Sequence, residues 1–458
     1  MVLCHAVVSA AVASYVVTSL FSREQVSSSM LLEFELSWSA SFFLNLPLSN
    51  SRTMKSFAIL TLAAAAAAFH GAPQPAGLIP RQAINTTTRN ILVGSKGRIE
   101  GFTFNGTDFL PNTKANITDT GATPSWMIFK EPNFLYAVDE NTANIRLFNC
   151  DPKAGSLTGP VSTFNASVGI VHLAFTQDKS KLIGSSYSNG TVDVWDVAAD
   201  GGLKLNKTVT LPSNLGSQGQ HKAHQAVLDP TGRYFVINDL GGDQIHILDT
   251  QTWNITGVVP VTPAKSGPRH GAFVSLNGTQ ASHYIVACET TNTLQMFEVV
   301  YKPSFGLKGY QTISTFAEGH MPQNLTSTTA AELLINTQGP AYVYVSSRNT
   351  MNQTDFITRF GIDKKTTNDT SPWLTWKGVV PSGGQAPRQF SFSKDEKYIF
   401  TANQNGQIAL QANERCTGDL CKIGVSATAK YQMETFLGPA VAANMSGQSL
   451  GPAFVMEF

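Results

Sequence analysis

From about residue 90 onward the chain is written in short apolar runs of strand length, broken by polar turns rich in Gly, Asn and Asp. "HQAVLDPTGRYFVINDLGGDQIHIL" (224–248) shows the unit best: a strand, a D-P-T-G turn, a second strand, a tight turn and a third strand. Related stretches are "WMIFKEPNFLYAVDENTANIRLF" (126–148), "HLAFTQDKSKLIGSSYSNGTVDVW" (172–195) and "HGAFVSLNGTQASHYIVACETTNTLQMF" (270–297). They continue with "ELLINTQGPAYVYVSSRNTMNQTDFITRF" (332–360) and "QFSFSKDEKYIFTANQNGQIAL" (389–410). The spacing is roughly 45–60 residues, and a fourth, outer strand is expected in each divergent linker. A first copy, "ILVGSKGRIEGFTF" (91–104), lacks its leading strand. Repeated four-stranded units of this length are propeller blades. The pattern therefore predicts an all-β, seven-bladed β-propeller over 90–458. The terminal run "AFVMEF" (453–458) is expected to close the ring by joining the first blade, which removes two exposed sheet edges at once. Two β-sandwiches would not account for one unbroken repeat.

In such a ring the first strand of each blade lines the central channel, so equivalent positions converge. Aligning the repeats at the mouth of the first strand on the pattern x-H-x-A-F sets Trp126, His172, His224, His270, Glu332 and Gln389 together, with Arg269 just before His270 and Arg388 just before Gln389, where other blades have Ser125, Val171 and Ala223. At the end of the second strand the blades supply Lys96, Glu140, Tyr187, Asp239, Glu289, Arg348 and Gln404, all polar where the flanking positions are apolar or small. A polar channel rim facing solvent would look the same at any single position. The mixture of Arg269, Arg348 and Arg388 with Asp239, Glu289 and Glu332 around histidines points further, to a site for an anionic substrate. Arginine offers a planar fork for carboxylate or phosphate, and His and Glu can move protons near neutral pH.

Composition narrows the function classes. Charged residues make up 14% of the chain and the formal net charge is +1, with no basic run, so nothing argues for nucleic acid. "MKSFAILTLAAAAAAFHGAPQPAG" has a signal peptide's length and order, with Met54 and Lys55 ahead of a short apolar core and a small-residue site near Gly71-Ala72. That core is too short for a stable membrane span, which takes about 20 apolar residues. Residues 54–72 are thus expected to be a signal peptide and 73–89 a linker. Residues 1–53 read as an extension upstream of the true start at Met54, or as an unusual leader. Asn-x-Ser/Thr sequons at Asn85, Asn105, Asn116, Asn165, Asn189, Asn206, Asn254, Asn277, Asn324, Asn352, Asn368 and Asn444 all follow that segment, as a secreted or cell-wall glycoprotein bearing N-glycans requires. Cys416 and Cys421 flank the turn "TGDL" and are expected to form a local disulfide, whereas Cys150 and Cys288 read as buried free thiols. Gly241-Gly242-Asp243 and Gly383-Gly384 read as turns because no helix follows, no zinc spacing appears, and His246 and His283 read as ordinary strand residues.

The strings "H-K-A-H-Q-A-V-L-D-P-T-G-R-Y" (221–234), "N-D-L-G" (238–241), "G-P-R-H" (267–270), "A-A-E" (330–332), "V-S-S-R-N" (345–349) and "A-P-R-Q-F" (386–390) resemble the seven-bladed lactonase family. That family groups propeller-type 6-phosphogluconolactonases with fungal 3-carboxy-cis,cis-muconate lactonising enzymes. The resemblance spans about residues 90–458 and is strongest over 220–300. It implies a catalytic set of His224, Arg269, Glu289 and Arg348, with His221 competing for the role of the first histidine. His172, His270, Asp239, Glu332, Arg388 and Gln404 are expected to bind substrate. Cys288 stands where the family has Asn, and "T-Q-D-K" and "S-K-D-E" replace its usual P-D-G turns in two blades. The reaction expected is hydrolysis of an anionic lactone or cyclisation of a carboxymuconate-type substrate by a monomer that needs no cofactor and no metal, although Glu289 and Asp239 could bind one. The alternative is a non-catalytic secreted propeller, such as a surface antigen or adhesin, that binds a ligand at the channel face.

Overall fold

The computed structural model of the chain describes residues 88–119, 121–212, 219–275, 279–316, 319–405, 408–414, 430–432 and 451–458, within a compact unit spanning Ala83–Phe458. Residues 1–53, 54–72 and nearly all of 73–89, the sequons at Asn85, Asn277 and Asn444, and the expected Cys416–Cys421 pair lie outside the described residues.

Seven four-stranded antiparallel sheets follow one another along the chain. Blade 2 is β4 (Met127–Lys130), β5 (Phe134–Asp139), β6 (Asn144–Asp151) and β7 (Ser156–Asn165), and blade 3 is β8 (Ile170–Phe175), β9 (Lys181–Ser186), β10 (Thr191–Val197) and β11 (Leu203–Thr210). Blade 4 is β12 (Ala223–Leu228), β13 (Tyr234–Asp239), β14 (Gln244–Asp249) and β15 (Ile255–Pro260). Blade 5 is β16 (Pro268–Val274), β17 (His283–Cys288), β18 (Thr293–Val300) and β19 (Gly306–Ser314). Blade 6 is β20 (Thr329–Ile335), β21 (Tyr342–Arg348), β22 (Phe356–Lys364) and β23 (Pro372–Pro381). Blade 7 is β24 (Gln385–Phe392), β25 (Tyr398–Asn405), β26 (Ile408–Glu414) and β27 (Lys430–Gln432).

Blade 1 takes its innermost strand from the other end of the chain. β1 (Arg89–Ser95), β2 (Arg98–Phe104) and β3 (Phe109–Thr118) are joined by β28 (Phe454–Glu457), which pairs antiparallel with β1 from Ile91↔Glu457 to Gly94↔Phe454. This is the closure expected from the truncated first repeat. Val455 is packed with Ile91, Tyr398 and Phe400, between blades 1 and 7. Phe454 is packed with Leu92, Met127 and Leu135, between blades 1 and 2.

The sequence periods follow from this layering. Second strands are pressed between neighbouring blades, so β13 and β17 are buried along almost their whole length and read as continuous apolar runs. Outer strands keep one face in solvent, and β15 alternates half-buried and exposed residues throughout. The core is a series of layers, each bridging two adjacent blades. Ile183 and Val194 meet Phe235 between blades 3 and 4, and Val236 and Ile247 meet Tyr284 between blades 4 and 5. Hairpins are set by side-chain caps. Both carboxylate oxygens of Asp229 accept from the D-P-T-G turn, including the backbone N–H groups of Thr231, Arg233 and Tyr234.

Candidate functional site

The innermost strands carry a repeated irregularity. Pairing with the second strand slips near the start of β8, β12, β16, β20 and β24, so extra residues bulge at Val171, His224, Arg269-His270, Ala331-Glu332 and Arg388. A bulge kinks the strand and re-aims the side chains it carries. In blade 5 the close approach of β16 to β17 needs Gly271, since a Cβ there would lie 2.4 Å from the Tyr284 hydroxyl and 2.6 Å from the Ile285 carbonyl oxygen.

The bulges correct the register read from sequence. Counted from the observed pairs, Val171, His224, Arg269, Ala331 and Arg388 are equivalent, and His172, Gln225, His270, Glu332 and Gln389 are equivalent. His224 therefore matches Arg269, not His270. At the end of the second strand Asp239 pairs with Ala223 as Cys288 pairs with Pro268, so Leu240, not Asp239, is the counterpart of Glu289. Matching H-x-A-F strings cannot see an unpaired residue, and the error of one position comes from that.

His224, Arg269, His270, Glu332 and Arg388 line one cavity together with Ser125, Trp126 and Gln389. Glu289 Oε2 lies 2.8 Å from Arg269 Nε and 3.1 Å from a terminal nitrogen of Arg348. Arg388 reaches across blade 1 to Glu140 Oε2 at 2.7 Å. The Arg269 contact is an ion pair without an aligned hydrogen bond. Both Arg269 Nε and Nη1 are buried with no hydrogen-bond partner among the described residues. A guanidinium that is 3% exposed thus keeps unused donors at the cavity.

Burial, with Arg348 close by, pulls the Arg269 guanidinium down to about 9, so it stays charged at neutral pH. Burial alone would raise Glu289, but Arg348, Arg269 and Arg388 hold it below the usual carboxylate range. Glu140 is likewise lowered, because Arg388 outweighs its burial. Glu332 behaves oppositely. It is 1% exposed, and burial pushes it up to about 8, so it is protonated at neutral pH. The backbone N–H of Leu333 donates to its Oε1, which lies 2.9 Å from His270 Nδ1, again without an aligned hydrogen bond.

Aromatic rings fill the channel beside these groups. Trp126 sits 4.3 Å from the His172 ring centre, and His270 is 4.9 Å from His224 and 6.0 Å from His172. Desolvation holds all three histidines well below their usual pKa, with the positive charge of Arg269 adding to the effect at His224 and His270. They are neutral imidazoles at pH 7.

The structure therefore groups His224, Arg269, Glu289, Arg348, His172, His270, Glu332 and Arg388. Gln404 lies in an adjoining recess with Lys96 and Glu140, which shares Arg388 and Ala453 with the cavity. His221 and Asp239 are not among the lining residues and instead contact each other and His246. Sequence reasoning left Trp126 and Glu140 out of the site residues, although both stood in the aligned columns. Glu140 is recognisable only through Arg388, 248 residues away. Cys150 and Cys288 are buried free thiols as expected, and burial raises both to about 12, which makes them unreactive.

Comparison with known proteins agrees with this architecture. The model of the family described as lactonase, seven-bladed β-propeller, matches residues 83–434. A probable 6-phosphogluconolactonase of Arthroderma benhamiae is 24% identical over 304 residues, covering 63% of this chain and 73% of its own. The 6-phosphogluconolactonase of Bacillus subtilis is 24% identical over 311 residues, covering 66% and 83%. Among solved structures, the periplasmic gluconolactonase of Pseudomonas aeruginosa superposes with a TM-score of 0.62 at 20% identity over 81% of this chain and 99% of its own. A putative 6-phosphogluconolactonase of Bacteroides fragilis gives 0.61 at 21% identity over 82% and 99%. With seven blades closed by β28, and a family match running from blade 1 into blade 7, the chain belongs to the lactonase family of seven-bladed β-propellers.

Proposed function

We propose that this protein is a lactone hydrolase acting on an anionic lactone, with the reaction centred on His224, Arg269, Glu289 and Arg348. The carrying observation is the set of unused, buried Arg269 donors, beside Arg348 and Arg388, in a cavity lined by neutral imidazoles. Three guanidiniums face two ionised carboxylates, Glu289 and Glu140, since Glu332 is neutral. A positive charge is left over for a substrate carboxylate or phosphate.

Glu289, held low by its arginines, is a weak base, and its role is to orient Arg269 and Arg348. His224 is lowered as well, by burial and by the Arg269 charge, but a bound anionic substrate would offset that charge and let the neutral imidazole take a proton from water as the water oxygen attacks the lactone carbonyl. Arg269 offsets the charge that develops on the carbonyl oxygen. When the ring C–O bond breaks, the alkoxide takes the proton that His224 has just gained from water, which returns His224 to its neutral form. Water and lactone thus give one hydroxy acid. The 6-phosphogluconolactonases among the relatives support this reaction class.

Hydrolysis of phosphorylated and carboxylated lactones by wild type, Arg269→Ala, His224→Gln and Glu289→Gln tests the assignment. Arg269→Ala is expected to lower kcat/KM by about 100-fold or more. Equal rates for all four proteins would remove the catalytic reading and leave a binding propeller. Cyclisation of 3-carboxy-cis,cis-muconate without lactone hydrolysis would reverse the direction proposed.

We also propose that the protein is secreted and N-glycosylated. The sequon residues Asn116, Asn165, Asn189, Asn206, Asn254, Asn324 and Asn368 are exposed, and Asn105 and Asn352 are partly exposed. Material from a eukaryotic secretory host should lose mass on peptide-N-glycosidase treatment, and an unchanged mass would remove the proposal.

A further inference from the structure

Outside the channel, one cluster has donors without an assigned task. Asp239 is fully buried at the end of β13. Its Oδ1 accepts the backbone N–H of Lys222 at 2.7 Å and of Gly242 at 3.0 Å. Its Oδ2 faces His221 Nδ1 at 2.5 Å and His246 Nε2 at 3.2 Å. The other nitrogen of each ring, His221 Nε2 and His246 Nδ1, is buried without a hydrogen-bond partner among the described residues. One carboxylate oxygen is thus the polar focus of both imidazoles.

Blade 2 shows what this position ordinarily requires. Asp139 occupies the same place in β5, takes the Thr123 N–H at 3.0 Å, and pairs with Arg146 at 2.8 Å. Arg146 lies opposite Ala137 as His246 lies opposite Ile237. A permanent cation in blade 2 is therefore replaced in blade 4 by two imidazoles, which bring no charge while neutral. Lys222 does not supply it, because its ammonium lies over the Tyr187 ring, 5.0 Å from the centroid. A buried carboxylate needs a counter-charge. Space in front of Oδ2 is kept by Gly242, where a Cβ would fall 2.1 Å from that oxygen and 3.1 Å from His221 Nδ1.

We propose that His221, Asp239 and His246 form a site for a divalent first-row transition metal, with Zn²⁺ the best match. Their ligand atoms lie within 4.8 Å of one another. Two imidazole nitrogens with one carboxylate suit zinc, nickel or copper rather than Mg²⁺ or Ca²⁺, and three protein ligands leave one position for water. The metal would tie the segment before β12 to the end of β13 and to β14, beside the strand that carries His224. It replaces the reading of His246 as an ordinary strand residue and is independent of the lactonase proposal.

The test uses untagged, full-length protein stripped with chelator. Metal content after Zn²⁺ addition and desalting is measured, with thermal unfolding of the same samples. Wild type should retain one Zn²⁺ per chain and unfold at higher temperature with it, and excess Mg²⁺ or Ca²⁺ should not displace it. His221→Ala, on a partly exposed segment, and His246→Asn should each weaken binding by more than about tenfold. His283→Asn, a buried histidine elsewhere, should bind as wild type does. Substoichiometric zinc in the wild type, or equal binding by His221→Ala, would overturn the proposal. So would metal-free wild type gaining stability on acidification through the imidazole range, with that gain lost in both variants, because a proton would then be the counter-charge.

Discussion

At Arg269 a charge is held 3% exposed because Glu289 and the bulge of β16 fix it there, while Arg348, on the same Glu289 oxygen, opposes it. The same low-dielectric pocket divides its carboxyls by neighbour. Glu289 touches two guanidiniums and stays ionised, whereas Glu332 contacts a neutral imidazole and keeps its proton. This division makes a prediction for stability. The Glu332 pKa is raised from 4.5 to about 8 on folding, so between those values the folded state binds a proton that the unfolded chain has released. Its contribution is present below pH 4.5 and is lost as pH rises toward 8, at a slope approaching ~1 kcal/mol per pH unit. Denaturant titrations from pH 5 to 8 should show wild type losing stability relative to Glu332→Gln. Parallel curves for the two proteins would mean that Glu332 is ionised throughout. The residue types at these positions were legible in the sequence; their protonation was not, because it depends on partners from other blades.

At the scale of the strand and hairpin, the repeat is the readable feature and the bulge is the hidden one. Period, turn chemistry and apolar runs identify every inner strand of blades 2 to 7. The extra residue at His224 leaves no compositional trace, so blade 4 slipped by one position in the aligned columns, whereas Gln389, with Arg388 before it, was aligned as the structure has it. Turn substitutions illustrate the reverse case, where local sequence announces a local cost. Gly232 in D-P-T-G has φ 72°, and its counterparts Lys179 and Glu396 adopt φ 55° and 51°. Left-handed backbone disfavours a side chain. Lys179 is exposed, so Lys179→Gly should stabilise by about 0.5 kcal/mol after the entropy cost of glycine, seen as a raised denaturation midpoint. Glu396→Gly should destabilise instead, since Glu396 accepts the N–H groups of Thr337 and Gln338. A lower midpoint for Lys179→Gly would show that its side chain is doing something the turn geometry does not reveal.

Across the whole ring, closure depends on a four-residue strand. β28 supplies the innermost strand of blade 1, and its Val455 and Phe454 enter the two interfaces on either side of that blade. Phe454→Ala should cost about 3–5 kcal/mol, the usual range for a buried aromatic. Ending the chain at Ala453 should be worse, because β1 would expose an unpaired edge that recruits other chains. Light scattering and thermal unfolding of the truncated protein should show aggregation at temperatures where the full chain is clear. A soluble protein with an unchanged unfolding temperature would show that the ring tolerates an open blade.

Hydrophobic periodicity and turn residues are local properties, so reading along the chain was enough for the all-β class, the seven repeats, the missing first strand and the strand that replaces it. The residue types of an anion site were visible in the same way, as columns of Arg, His and Glu at strand ends. Three-dimensional packing was needed for the one-residue bulges, for the Arg388–Glu140 contact across blade 1, and for the separation of Asp239, His221 and His246 from the channel. Each of these depends on which blade faces which across the ring, and on how much water is left between them. No run of neighbouring residues encodes either quantity.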